Sequence, residues 1–143
     1  MSREPPATRA QFKVWQKFTT RWADNDAYGH VNNTVFYQWF DSAVNGWLVG
    51  QGLLDIQAGD PIALVAETRC SYLAPLEFPQ DVDVGLAVAK LGASSVRYSI
   101  GVFAQGADIA AAQGEFVHVL VDRMSRRPVD MPADWRSALM SIS

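Results

Sequence analysis

Two acids, a glycine and a histidine stand close together in one polar turn near the start of the chain. They are Asp24, Asp26, Gly29 and His30, and two asparagines follow them where a helix is predicted to begin. A helix N-terminus has a partial positive charge and backbone N–H groups that can hold a developing oxyanion. An acid a few residues earlier could lie beside whatever is bound there. Asp is also a common turn former, so spacing alone leaves both interpretations open.

The helix after this turn is predicted from its apolar residues over about 34–49. Asn33 is its predicted N-cap, because an Asn side chain can accept from backbone N–H groups that lack an intrahelical acceptor. Gly50 and Gly52 are predicted to end it, which gives a length of roughly 24 Å. The residues at helical spacing are Val35, Phe36, Trp39, Phe40, Ala43, Val44, Trp47 and Leu48.

Length and composition predict one globular domain. The 143 residues are 49% hydrophobic and 19% charged, which is ordinary for a globular protein with its own core. No apolar run reaches the ~18 residues that a membrane span needs. The net charge of −3 gives no reason to expect nucleic acid. We therefore expect a cytoplasmic protein that binds neither membranes nor nucleic acid.

The single cysteine, Cys70, lies in a strand-like run and has no second cysteine for an intramolecular disulfide. This usage fits a reducing compartment, and we interpret Cys70 as a small buried hydrophobe rather than a nucleophile. With one Cys and two His, the sequence has no recognisable metal cluster. We expect no metal and no cofactor.

Strand patterns surround the predicted helix. Residues 1–10 are polar and contain two prolines, which predicts a flexible tail before a single domain over 11–143. The strands do not alternate with helices, which argues against a doubly wound sheet and favours an antiparallel meander wrapped around one apolar helix. The predicted strands cover 12–22, 62–73, 81–89, 94–103 and 109–121, and a short helix is predicted over 132–140.

Several motifs resemble those of a known family over about 12–127. They are Asp24-Asn25-Asp26, Gly29-His30-Val31-Asn32-Asn33, Tyr37, Trp39-Phe40-Asp41 and Tyr72-Leu73-Ala74-Pro75-Leu76. Together they resemble the hotdog-fold acyl-CoA thioesterases of the 4-hydroxybenzoyl-CoA thioesterase type. The resemblance implies an α+β hotdog fold, an antiparallel five-stranded sheet wrapped around one long central helix. It also implies hydrolysis of an acyl-CoA or aroyl-CoA to free acid and CoA, with CoA as part of the substrate.

The resemblance also implies the catalytic groups. Asp26 corresponds to the family's catalytic carboxylate, and the helix N-terminal N–H close to Asn33 polarises the thioester carbonyl. A thiol with a pKa near ~8.5 leaves readily as the thiolate, so these two groups can suffice. Asp26 could act as a general base on water or attack the carbonyl to form a mixed anhydride, and the sequence leaves both open.

Other residues near the motif have both a functional and a structural interpretation. We expect Asp24 to be a turn or salt-bridge residue, and His30 to orient the turn through hydrogen bonds. Tyr28 could line the substrate mouth or only cover the turn. The basic cluster of Arg123, Arg126 and Arg127 could contact the CoA phosphates or form a solvated face. The remaining candidates for substrate binding are Gly29, Asn32, Thr34 and Glu67.

Two other functions stay open at this point. One is a non-catalytic acyl-CoA-binding hotdog protein, which would not need the carboxylate of Asp26. The other is a hotdog dehydratase or hydratase, whose chemistry usually relies on a His paired with a carboxylate.

A homo-oligomer is also expected, either a dimer or a tetramer. In the predicted strands, residues 62–65 and 109–121 have apolar side chains at both odd and even positions, and therefore on both faces of the sheet. One helix covers only one of these faces, so a second subunit is expected to cover the other. Hotdog relatives pair edge to edge, with each active site at the subunit boundary.

Overall fold

The computed structural model describes residues 4–143. Five strands and two helices make up the fold, together with short 3-10 turns at Arg9–Gln11 and Trp22–Asp24. No helix of the described residues is long and apolar enough to cross a membrane. In chain order the elements are β1 (Val14–Thr19), α1 (Asn33–Gly50), β2 (Ile62–Tyr72), β3 (Asp81–Leu91), β4 (Ser95–Ala104), β5 (Ala112–Val121) and α2 (Ala133–Met140).

The five strands form one antiparallel sheet in the order β1-β3-β4-β5-β2. Strands β3, β4 and β5 are the predicted meander, and β1 and β2 lie at the two edges. The expected architecture, a five-stranded antiparallel sheet against one long helix, is confirmed. Register irregularities in β2 between Val65 and Glu67, and in β3 between Val88 and Lys90, interrupt the ladders.

The core lies between one face of the sheet and α1. Alternate residues of the central strands, such as Val84 and Ile100, are fully buried on this face, and Phe40, Val44 and Leu48 of the helix pack with them in one cluster. The helical residues share one face because side chains repeat every 3.6 residues in a helix, and the strand residues share one face because side chains repeat every two residues in a strand. Burial of these two apolar surfaces against each other is what places α1 on the sheet.

The start of α1 differs by one residue from the prediction. Asn32, not Asn33, is the N-cap: its backbone is extended, and its Oδ1 accepts from the N–H of Thr34 at 3.0 Å. Asn32 and Asn33 have the same side chain, so the residue type alone does not indicate which of them caps the helix. As a result Asn33 is the first residue of the helix.

The face of the sheet opposite α1 is partly covered by the chain's own N-terminal segment, residues 4–12. Phe12 is buried in a slot above Gly85 and Gly101, which are paired across β3 and β4. A Cβ at Gly85 or Gly101 would come within 2.8 or 2.6 Å of Phe12 atoms, so only glycine leaves room for the ring. The two glycines therefore build the binding slot for this segment.

Polar contacts hold the same segment along its length. Gln113 of β5 accepts from the N–H of Ala7 at 2.6 Å and donates to the carbonyl of Pro5 at 3.0 Å. Arg9 pairs with Asp83 at 3.0 Å and lies 5.1 Å above the centre of the Trp15 ring. Part of the expected flexible tail over 1–10 is thus held against the sheet, with its first buried residue at Ala7, and residues 1–3 lie outside the described part.

Strand β2 is an open edge of the sheet. It pairs with β5 on one side, and no strand among residues 4–143 pairs with its other side. Residues 64–69 are all exposed, including Leu64 and Val65. An exposed apolar edge of this length is a surface on which a further strand can pair.

Candidate active site

A tight reversal between β1 and α1 carries Asp26. The N–H of Asp26 donates to the carbonyl of His30 at 2.8 Å, and the N–H of Gly29 donates to the carbonyl of Asp26 at 3.1 Å. Gly29 has a φ of +80°, a conformation that favours glycine because it has no Cβ. These bonds hold the Asp26 backbone in a defined position beside the start of α1.

The two oxygens of the Asp26 carboxylate have different surroundings. Oδ1 accepts from the N–H of Tyr28 at 2.8 Å and, more weakly, from the N–H of His30 at 3.4 Å. Oδ2 has no hydrogen-bond partner among residues 4–143, and the side chain is half-buried. One oxygen therefore fixes the orientation, and the other is open to a water or a carbonyl carbon.

The N–H of Asn33 is an open donor at the start of α1. Within the described part of the chain it has no acceptor, whereas the N–H groups of residues 31, 32, 34 and 35 are all paired. A free N–H at this place adds to the positive end of the helix dipole. The acceptors of the paired groups are the carbonyls of Leu76, Asp24 and Asn32 and the Oδ1 of Asn32, at 2.7–3.0 Å.

Asp26, His30 and Asn33 line one cleft with a volume of about 340 Å³. The rest of its lining is apolar or aromatic, and no lysine or arginine lines it. The sequence does not predict the far wall of the cleft, which the Tyr72-Leu73-Ala74-Pro75-Leu76 motif supplies. The additional lining residues are Val31, Phe36, Tyr72, Leu73, Ala74, Pro75 and Leu76.

Asp24 has a structural environment. It is 2% exposed and forms a salt bridge with Arg21, in line with the expected turn or salt-bridge role, although the sequence did not indicate the partner. Its carboxylate accepts from the backbone N–H of Arg21 at 2.8 Å and from Nε and Nη2 at 3.0 and 2.7 Å. Its carbonyl accepts from the N–H of Asn32, so Asp24 also ties the turn to the helix cap.

The other predicted residues of the motif lie around the cleft in different ways. The backbone of His30 closes the turn, and its side chain lines the cleft. Tyr28 is 86% exposed and does not line it. The Oγ1 of Thr34 donates to the Oδ1 of Asn32 at 3.0 Å, so both side chains serve the helix cap.

Two predicted features lie away from Asp26 in this chain. Glu67 is on the face opposite α1, 3.9 Å from Arg97. Arg123 donates to the carbonyls of Gln57 at 2.7 Å and Gly59 at 2.9 Å, so its guanidinium holds a loop. Neither of these side chains lines the cleft that contains Asp26.

Arg126 and Arg127 lie in the exposed turn after β5. The last residue of β5 pairs with Ile62, the first residue of β2, whereas the cleft is at the last residue, Tyr72. The 11 residues of β2 separate these ends by roughly 33 Å at ~3.3 Å per residue. The arginine turn and the cleft are therefore at opposite ends of the sheet.

Cys70 and a second cavity of the described residues lack the groups for such chemistry. Burial raises the pKa of Cys70 to about 11, which fits our interpretation of it as a hydrophobe. Within residues 4–143 no group of three or more His, Cys, Asp or Glu could hold a metal ion. A second cavity of about 330 Å³ has no acid, base or nucleophile in its lining, which consists of Val14, Trp15, Gln16, Ala43, Gly46, Trp47, Gly50, Gln51, Val84 and Leu86.

Comparison with known proteins gives both a family and structural neighbours. A family model described as the thioesterase-like superfamily matches residues 20–139. No curated protein matches the chain. The crystal structure of the PA5185 protein from Pseudomonas aeruginosa is 49% identical, with 97% of each chain covered and a TM-score of 0.94.

Two further structures are more distant. The PA2801 protein from Pseudomonas aeruginosa is 28% identical, with a TM-score of 0.79 over 87% of this chain and 95% of that one. Slr0204 from Synechocystis, a 1,4-dihydroxy-2-naphthoyl-CoA thioesterase, is 20% identical, with a TM-score of 0.80 over 90% of this chain and 96% of that one. At this identity Slr0204 shows a shared fold only.

Proposed function

This chain belongs to the thioesterase-like superfamily, and we propose that within it the chain hydrolyses a CoA thioester to the free acid and CoA. One observation carries the proposal: Asp26, with an open Oδ2, and Asn33, with an open N–H, line the same apolar cleft. A carboxylate and a carbonyl-polarising donor are the two groups that this reaction needs.

In the proposed reaction the thioester oxygen accepts from the Asn33 N–H. Oδ2 of Asp26 takes a proton from water, the resulting hydroxide adds to the carbonyl carbon, and the C–S bond breaks. The proton then passes to the CoA thiolate. Loss of an oxyanion donor typically lowers kcat by ~10²–10³-fold, which is the scale expected for the Asn33 N–H.

The same geometry supports a covalent route. Oδ2 attacks the carbonyl carbon, the CoA thiolate leaves, and water hydrolyses the mixed anhydride. A single turnover in H₂¹⁸O tests the covalent route. Label in Asp26 identifies that route, because water then attacks the aspartyl carbon of the anhydride, whereas label in the released acid alone fits the general-base route or water attack on the acyl carbon of the anhydride.

We further propose that the acyl group is neutral and apolar, and we place the protein with the 4-hydroxybenzoyl-CoA thioesterase type. The cleft walls are apolar, no lysine or arginine lines them, and the carboxylate of Asp26 would repel an acidic acyl group. Both alkyl and aryl thioesters fit these walls. A panel of acyl- and aroyl-CoAs with a thiol reagent gives the preference.

The catalytic test is Asp26→Asn, which keeps the size of the side chain and removes its charge. We expect kcat to fall at least a hundredfold with unchanged folding, because the base or nucleophile is lost. Asp108→Asn, at an exposed position in the turn between β4 and β5, is the matched control and should keep full activity.

Three other results would contradict the proposal. Near-normal turnover by Asp26→Asn would show that Asp26 is neither the base nor the nucleophile. Binding of CoA thioesters by the wild-type protein without thiol release would favour the non-catalytic acyl-CoA-binding protein. Changes to the acyl chain without thiol release would favour the dehydratase or hydratase.

A further inference from the structure

Tyr72 lies where the cleft wall meets the start of α1. It is the last residue of β2, and its ring packs edge-on against Phe36, with centroids 5.2 Å apart. Both rings line the cleft. The Tyr72 hydroxyl donates to the carbonyl of Asn33 at 3.0 Å. The contact therefore joins a cleft wall to the residue whose N–H is open.

The rest of this wall is fixed independently of Tyr72. The N–H groups of Leu73 and Ala74 both donate to the carbonyl of Ala111, at 2.8 and 2.9 Å. At its other end the wall accepts from the N–H of Val31, which donates to the carbonyl of Leu76 at 2.7 Å. Residues 73–76 are thus anchored to the sheet and to the turn that carries Asp26.

The start of α1 has fewer links to the same wall. The hydrogen bond from Tyr72 to the carbonyl of Asn33 links residues 72–76 to the first turn of α1, and the Tyr72 hydroxyl also interacts with Tyr37 one turn further along the helix. Because it holds the carbonyl of Asn33, it limits rotation of the residue that also carries the open N–H. Its loss would leave the first turn of the helix held by its N-cap but detached from the cleft wall, whereas residues 73–76 would keep their own hydrogen bonds.

We propose that Tyr72 is a positioning residue that fixes the Asn33 N–H relative to Asp26 by binding the start of α1 to the cleft wall. This inference rests on the proposed thioesterase function. Tyr72 acts through Asn33, so its effect is on the alignment of the donor with the reacting carbonyl. Small errors in such alignment reduce rates strongly.

The test is Tyr72→Phe, which keeps the ring contact with Phe36 and removes the hydroxyl. We expect kcat to fall about tenfold, the scale of one neutral hydrogen bond, with KM within about twofold. The matched control is Tyr98→Phe, which removes a buried hydroxyl that has no partner in the described part of the chain, and we expect it to keep wild-type kcat. A role in stability alone would lower the melting temperature of Tyr72→Phe and leave kcat unchanged.

Hydrogen exchange gives a readout that does not depend on activity. In Tyr72→Phe the amides of residues 33–40 should exchange faster than in the wild-type protein, whereas those of residues 62–71 should not change. Unchanged exchange in residues 33–40 would overturn the contact, and unchanged kcat with faster exchange would overturn the positioning role. If the wild-type protein hydrolyses no CoA thioester, the proposed function fails, and the exchange result still supports or overturns the link between Tyr72 and α1.

Discussion

Asp24 and Asp26 are two residues apart and have opposite environments. Asp24 is 2% exposed and paired with Arg21, whereas Asp26 is half-buried and has an open oxygen. A carboxylate whose lone pairs are occupied by backbone and guanidinium donors is poorly placed to accept a proton from water. These surroundings support a structural role for Asp24 and are compatible with the catalytic role that we propose for Asp26.

Asp24→Asn tests this division. The amide removes the charge that pairs with Arg21 and leaves a buried donor without an acceptor, so we expect the free energy of unfolding to fall by about 1–3 kcal/mol. The effect on kcat should be much smaller than that of Asp26→Asn. Urea unfolding and steady-state kinetics on both variants measure the two effects. An equal loss of kcat with intact stability would mean that Asp24 is the catalytic acid.

His118 predicts a pH dependence of stability. It is 1% exposed, its Nδ1 has no partner in the described part of the chain, and burial lowers its pKa to about 4. The unfolded chain binds a proton at pH values near 6.5 and below, whereas the folded protein does so only near 4. Stability should therefore fall as the pH drops from about 6.5 to about 4.

The matched variant is His118→Phe. In this pH window, His118 lowers the free energy of unfolding by at most about 1.4 kcal/mol for each unit by which the pH falls. Urea unfolding at several pH values should show a smaller slope in His118→Phe than in the wild-type protein. Equal slopes would mean that other groups cause the pH dependence.

At the scale of elements, the N-terminal segment (residues 4–12) belongs to the folded domain. Phe12→Ala should lower the free energy of unfolding by about 3–5 kcal/mol, because the ring fills the slot at Gly85 and Gly101. The kcat should stay unchanged, since the cleft is on the other side of the sheet. Phe78→Ala, at a position 37% exposed, is the control and should cost much less stability. If Phe12→Ala has the same free energy of unfolding as the wild-type protein, the N-terminal segment contributes little to stability.

The sequence predicted the elements better than their contacts. Alternation in β3 and β4 and the helical spacing of α1 are local signals, and they gave the strands and the long helix to within a few residues. The packing of residues 4–12 has no such signal, because Phe12 contacts glycines more than 70 residues away. The placement of Arg126 and Arg127 depends on the strand order in the same way. Cytoplasmic location and the catalytic roles stay predictions.

At the scale of the whole molecule, the open edge of β2 predicts a dimer. Antiparallel pairing of β2 with a second copy would cover Leu64 and Val65 and continue the sheet. Light scattering at micromolar concentration should give at least twice the 15.7 kDa of one chain. An active species with the mass of one chain would contradict the shared site. The N-terminal segment already covers part of the outer face, which leaves less of it for a tetramer.

The same pairing would bring the partner's arginine turn to this chain's cleft, because antiparallel strands reverse the ends of β2. The variant with Arg126 and Arg127 replaced by Gln in every chain should therefore raise KM for CoA esters and spare a short thioester without the nucleotide. Mixing that variant with Asp26→Asn should restore a wild-type KM in part of the population, since each mixed dimer would have one complete site. No restoration would place the arginines outside the shared site. Arg123→Gln should instead destabilise the loop over 56–60, because the guanidinium donates to the carbonyls of Ile56, Gln57 and Gly59.

The cleft is formed by two separate stretches of the chain, and each can be substituted without altering the other. The turn and helix start hold the proposed catalytic groups, and residues 72–76 form the opposite wall. Substitutions at Leu73 or Ala74 could reshape the acceptable acyl group without moving Asp26, because their backbone N–H groups, not their side chains, anchor the wall to Ala111. On the proposed function, relatives with the same turn would differ in acyl preference through this wall alone, and exchanging residues 72–76 between two of them would transfer the preference.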